Sequence, residues 1–145
     1  MNFPHNFFIS EDKDLLDVDF IHSFLANESY WARGISVETI KITITNSICF
    51  GVFTHEKNQV GYARVITDHA TVAHIADVFI AKKYRGSGLS LLLMERILSH
   101  PIVKRMKKVY LFTHDAQELY RKFGFQNSLH PEYFMELKNL NQSVL

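Results

Sequence analysis

Short apolar runs alternate along this chain with stretches whose apolar residues recur at helical spacing, and the alternation divides it into elements. Phe7-Phe8-Ile9 suits a first strand. Phe20, Ile21, Phe24 and Leu25 follow the helical period, with Asp17 or Asp19 as the cap. Tyr30-Trp31-Ala32-Arg33-Gly34 makes a tight aromatic connection, and Ser36 caps a second helix carrying Val37, Ile40 and Ile44 on one side. Ile48 to Thr54 and Gln59 to Ile66 read as a hairpin across the polar turn His55-Glu56-Lys57-Asn58. A turn near Asp68-His69 leads into a third long strand, Val72 to Ile80. The basic loop Lys82 to Ser87 opens a helix from about Ser87 to Ser99, with Leu89, Leu92, Leu93 and Ile97 on one face, and Pro101 cannot continue it. Val109 to Phe112 reads as a short buried strand. Asp115 caps a helix through Leu119, Tyr120 and Phe123, Gly124 ends it, and Tyr133 to Leu137 is a last strand. This order predicts an α+β fold layered α/β/α: a mostly antiparallel sheet with helices on both sides, and one βαβ crossover at the fourth and fifth strands.

Composition narrows the reading. The 145 residues are the length of one domain, expected to span 1–145, and no linker or internal repeat divides them. The net charge of +1 leaves no electrostatic footprint for duplex nucleic acid or an anionic membrane. The single cysteine, Cys49, excludes an internal disulfide framework, and its neighbours Ile48 and Phe50 point to an inert buried thiol. No apolar run approaches the ~20 residues needed to span a bilayer, and Met1 to Asp12 lacks the basic flank of a secretory signal. A cytoplasmic protein is expected. None of the eight histidines shows His-x-His or His-x-x-x-His spacing, so no metal is expected either.

The chemistry concentrates where the strand ending Val78-Phe79-Ile80 runs through Arg85-Gly86-Ser87-Gly88 into Leu89 and Ser90. Amides at a helix start have no intrahelical acceptors, and the aligned peptide dipoles make that end partially positive. Glycines admit close approach to the main chain, and Arg85 adds a permanent cation. Such a loop suits a phosphate or diphosphate. A P-loop is excluded because Leu89 and Ser90, not Lys and Ser/Thr, follow Gly88; a dinucleotide fingerprint fails because Leu91 stands where its third glycine belongs. Asp77 is costly inside the apolar run Ile75-Ala76-Asp77-Val78-Phe79 unless it faces a wet cleft or pairs with Arg64 on the neighbouring strand. His74 reads as a sheet histidine.

Arg85, Gly88 and Ser90 resemble the acetyl-CoA signature Arg-x-x-Gly-x-(Gly/Ala) of the GNAT acetyltransferases. About thirty residues on, Ala116-Gln117-Glu118-Leu119-Tyr120-Arg121-Lys122-Phe123-Gly124-Phe125 resembles that family's second signature. Two departures stand out: Ser90 at the last position of the first motif, and Thr113 where Asn is common before the second. The resemblance implies a sheet whose fourth and fifth strands splay apart. The pantetheine arm of acetyl-CoA, the co-substrate, would then pair with the backbone of Val78, Phe79 and Ile80. The diphosphate would rest on the amides of Gly86, Ser87, Gly88, Leu89 and Ser90 beside Arg85, with Thr113 or Asp115 in place of the missing Asn.

It further implies an N-acetyltransferase working by direct attack in a ternary complex, with Tyr120 beside the departing thiolate and Asp77 as base, proton relay or substrate anchor. The acceptor would be a small-molecule amine or a peptide. A non-catalytic acyl-CoA-binding or regulatory module is the alternative on the same fold. Tyr30, Trp31 and Arg33 fall where members of the family often build the acceptor pocket, and an aromatic packing corner explains them equally well. The oligomeric state is left open, a homodimer being one option.

Overall fold

A computed structural model describes residues 6–139. Five strands pair in chain order: β1 (Phe7–Ser10), β2 (Ile48–Thr54), β3 (Gln59–Thr67), β4 (Val72–Ile80) and β5 (Lys108–Tyr110). The first four are antiparallel, and β5 lies parallel to β4, so the crossover between them is the expected βαβ unit. The helices are α1 (Val18–Asn27), α2 (Val37–Thr45), α3 (Leu89–Ser99), α4 (Pro101–Lys104) and α5 (Gln117–Arg121).

Strand alternation sends side chains to two cores. Phe50, Val52, Ala63, Val65, Ala73 and Ile75 pack with Leu89, Leu93, Met94 and Ile97 of α3. Cys49, Tyr62 and Phe79 pack on the other face against Ile21, Phe24 and Leu25 of α1 and Ile40 and Ile44 of α2. Phe79 reaches that second core although Ala73 and Ile75 belong to the first, because β4 carries an extra residue between them. On β3, Tyr62 faces Phe79 and Arg64 faces Ala76, so two steps on one strand match three on the other. The bulge is at Asp77, whose φ of 54° is left-handed. It resets the phase of the strand, and Phe79 stacks on Phe24 with ring centroids 3.8 Å apart. Burying a side chain of that size contributes roughly 1.5–3 kcal/mol.

Local chemistry sets the ends of the helices. Asp17, not Asp19, caps α1 by accepting from the Phe20 amide at 3.0 Å, and Ser36 caps α2 through the Thr39 amide at 3.1 Å. α3 begins at Leu89, where its apolar spacing starts, and not at the expected Ser87, because Gly88 holds a left-handed φ of 85°. Pro101 does not lead into a loop. It takes the first position of α4, where its missing N–H costs nothing, and His100 Nδ1 accepts from the Ile102 amide at 3.1 Å.

Three expectations need correction. Asp115 does not cap α5: the cap position is Ala116, and the turn before it is held by Thr113 Oγ1 accepting from the Ala116 amide at 3.0 Å. The strand expected at Val109 to Phe112 is Lys108–Tyr110, with Phe112 already 61% exposed. The strand expected at Tyr133 to Leu137 does not form. Pro131 presets a 3-10 turn, Pro131–Tyr133, closed by the Tyr133 amide on the His130 carbonyl at 3.0 Å, and β5 offers only three paired residues as a template. No helix of the described residues is long and apolar enough to cross a membrane. Residues 1–5, the start of the Met1 to Asp12 stretch read as no secretory signal, lie outside the described residues.

Candidate active site

The sheet opens on one side of β4. Pairing with β5 runs only from Val72↔Lys108 to His74↔Tyr110, whereas β4 continues to Ile80. Beyond His74 the β5-facing edge of β4 has no strand against it among the described residues, which leaves main-chain groups of the segment containing Val78, Phe79 and Ile80 facing a cleft. The Ile80 carbonyl is already engaged, accepting from Arg85 Nε at 2.9 Å. Arg85 thus ties the loop to the end of β4 with one donor and keeps its terminal NH groups for another partner.

That loop turns on two left-handed glycines, Gly86 with φ 82° and Gly88 with φ 85°. A Cβ built on either would meet nothing within 4 Å, so the glycines face open space and serve the backbone turn, not a tight packing contact. Between them Ser87 Oγ donates to the Tyr84 carbonyl at 2.8 Å. The result is a cavity of about 620 Å³ over the start of α3, lined by Arg85, Gly86, Ser87, Gly88, Leu89 and Ser90 and also by Leu119 of α5 and Lys122, the residue that follows it. Open amides at a helix N-terminus, a positive dipole end and two cations fit a diphosphate. The sequence placed Leu119 and Lys122 only inside the second signature and not at the cradle; the further signal was their i, i+3 spacing across the end of α5.

Tyr120, on the same short helix, is 8% exposed and lines the larger cavity of about 1320 Å³ beside β5 together with Thr113. Burial, reinforced by Tyr30 and the Asp115 carboxylate, pushes its hydroxyl pKa up to about 12. Thr113 is occupied with the turn that presents α5.

Asp77 is paired. Arg64 Nε meets its Oδ2 at 2.5 Å and Trp31 Nε1 donates to its Oδ1 at 2.8 Å. Of the two readings open from the sequence, a partner in the wet cleft or an ion pair with Arg64, the structure contains the ion pair. Each carboxylate oxygen thus accepts one side-chain hydrogen bond. The Trp31 bond could not be foreseen, since it joins residues 46 apart. Tyr30 makes a matching bond on the other bank, its hydroxyl accepting from the His114 amide at 2.8 Å. The connection from α1 to α2 is thus a strap pinned to β4 by Trp31 and to the chain after β5 by Tyr30.

His74 stacks on Tyr110 at 4.8 Å, and burial followed by the Arg64 charge lowers its pKa. Cys49 is buried under the Tyr62 hydroxyl, which donates to its sulfur at 3.3 Å, and burial raises the thiol pKa. No group of three or more His, Cys, Asp or Glu among the described residues is arranged to hold a metal ion.

Comparison with known proteins converges on this arrangement. The family model of the GNAT acetyltransferase domain matches residues 46–127, from the start of β2 past α5. A crystal structure from Xanthomonas campestris pv. campestris, of an acetyltransferase assigned to the GNAT family, superposes with a TM-score of 0.90 at 38% identity, covering 94% of this chain and 95% of that one. A Gibberella zeae protein named as an acetyltransferase is 27% identical over 139 residues, 81% of this chain and 77% of its own. The fold is also that of a GNAT-family acetyltransferase from Elizabethkingia anophelis solved with acetyl-CoA bound, with a TM-score of 0.65 at 17% identity over 94% of this chain and 91% of that one. With the splayed strands, the glycine loop and a family match over more than half of its length, the chain belongs to the GNAT acetyltransferase family.

Proposed function

We propose that the protein is an acetyl-CoA-dependent N-acetyltransferase that acetylates a primary amine by direct attack in a ternary complex. The observation that carries the reading is the glycine cradle over α3 with the unpaired edge of β4 beside it. Acetyl-CoA would supply a thioester carbonyl open to nucleophiles and a thiolate leaving group. Arg85, Lys122 and the amides of Gly86 to Ser90 would hold its diphosphate, and the backbone of Val78 and Phe79 its pantetheine arm.

Tyr120 is suited to hydrogen-bonding charge that develops on sulfur. With its pKa near 12 against ~8.5 for a thiol, giving up its proton to a departing thiolate outright is uphill by about 5 kcal/mol. A bond that tightens as the C–S bond breaks avoids that cost, with the proton lost by the amine ending on the thiol. Asp77 acts at one remove. It holds Trp31 and Arg64 in place as a positioning residue, and the amine reaches its neutral form through desolvation under the strap. The engagement of both Asp77 oxygens also favours a second reading, an acyl-CoA-binding module without turnover.

Calorimetry and thiol release together test the proposal. Acetyl-CoA and CoA are expected to bind at one site per chain, and thiol release is expected to depend on added amine. Binding without amine-dependent release supports the module; absence of binding removes both readings.

A further inference from the structure

The strap that spans the cleft has committed most of its polar tips. Trp31 spends its indole N–H on Asp77, and the Tyr30 hydroxyl oxygen accepts from the His114 amide, which leaves its O–H as one donor; the two residues are 43% and 51% exposed. What else they leave to a ligand is ring surface: the two rings stand edge-on with centroids 5.0 Å apart, Trp31 tilted on Phe24 at 6.4 Å and Tyr30 on His114 at 5.2 Å. The strap is rigid for its length: Ser29 Oγ donates to the Leu25 carbonyl at 2.7 Å and accepts from the Ala32 amide at 3.0 Å, and the Gly34 amide returns to the Ala26 carbonyl at 3.0 Å.

On the β5 bank, two residues before His114, Phe112 is 61% exposed although it meets Phe134 at 5.1 Å, and it packs edge-on against His74 at 5.5 Å and Tyr110 at 6.0 Å. The charges between the banks cancel. Arg64 gives Nε to Asp77 and Nη1 to Ser47 at 3.2 Å, and burial holds His74 toward its neutral form. Arg33 stands exposed on the strap and adds one cation.

A sugar, a phosphorylated amine or an acidic peptide needs several donors or cations at the mouth; this mouth offers Arg33, the Tyr30 O–H and otherwise rings. Resting on the N-acetyltransferase reading, we propose that the acceptor is a primary amine carried on a flat apolar group, an arylalkylamine in chemical class, held against the exposed rings of Tyr30, Trp31 and Phe112. Aromatic faces favour such a partner twice, through ring contact and through the attraction of an ammonium to the ring face before it loses its proton.

Trp31 is the only tryptophan of the chain, so its emission reports the strap. The full chain, saturated with CoA, is titrated with 2-phenylethylamine, ethanolamine and glucosamine 6-phosphate. The expected result is a saturable change with 2-phenylethylamine at a Kd lower than that of either hydrophilic amine by on the order of tenfold. Phe112→Ala, an exposed position, is expected to weaken the aromatic amine and leave CoA binding unchanged. Equal or tighter binding of a hydrophilic amine, or no saturable change with 2-phenylethylamine while CoA is bound, overturns the inference and leaves the acetyltransferase reading standing. Failure of CoA to bind, read by calorimetry before any amine is added, overturns that reading and this inference with it.

Discussion

Tyr120 and His74 both sit at the cleft with pKa values moved by burial, in opposite senses for the charge each would carry. For Tyr120 the folded chain keeps its proton up to about 12 while an unfolded chain loses it near ~10, so the unfolded state binds fewer protons in that window. Its share of stability is therefore complete below ~10 and declines as pH rises toward 12. Catalysis gives the sharper test. Tyr120→Phe removes one hydroxyl and is expected to lower kcat by about tenfold or more with the Kd for acetyl-CoA almost unchanged. Steady-state kinetics beside calorimetry decide it, and an unaltered kcat takes Tyr120 out of the chemistry. His74 carries the reverse sign. Its lowered pKa means that the unfolded chain takes up a proton first as pH falls below ~6.5, so stability present above that value drains away beneath it. His74→Gln is expected to flatten the urea midpoint between about pH 7 and 5 relative to the parent chain. An identical acid slope in the variant would place the loss on other groups.

Each element around the cleft depends on a small device at its end. α5 is five residues long and too short to be stable alone, so Thr113 Oγ1 on the Ala116 amide and the Phe125 amide on the Tyr120 carbonyl at 3.3 Å fix the angle at which it presents Tyr120. Thr113→Val keeps the shape and removes the acceptor. It is expected to lower unfolding free energy by about 1 kcal/mol in a urea titration and to reduce kcat more than acetyl-CoA affinity. Devices of this kind explain what could be read in advance. Strands β2 to β4 and the helices Val18–Asn27 and Leu89–Ser99 were legible because each carries its own apolar period, and Asp17 marks the start of the first helix. The loop at Gly86 and Gly88 was legible because helix-start chemistry is local. The bulge at Asp77 was not, since one inserted residue leaves composition untouched; its trace was the change of phase between Ile75 and Phe79. Tyr133 to Leu137 misled for the opposite reason. Its residues suit a strand, but strand formation needs a partner edge, and nothing local to those residues says that β5 stops at Tyr110.

Across the whole molecule, the two sides of the cleft differ in charge even though the chain carries a net of only +1. The cradle side gathers Lys82, Lys83 and Arg85 on its loop and Lys122 just past α5, all exposed, whereas the strap side encloses the Arg64–Asp77 pair and presents rings beside Arg33. A tetra-anionic ligand approaching the first side is drawn over a distance set by the Debye length, about 10 Å at 0.1 M salt and about 3 Å at 1 M. An arylalkylamine approaching the second meets no comparable field. Raising sodium chloride from about 0.05 M to about 0.3 M should therefore increase KM for acetyl-CoA severalfold and leave KM for the amine within about a factor of two. Lys82→Gln with Lys83→Gln should reduce the salt response of the first constant and not touch the second, because both lysines stand on the exposed loop away from the strap. Matching salt responses for the two substrates would mean that both enter across the same basic surface, and the division of the cleft into a charged and an apolar mouth would fail.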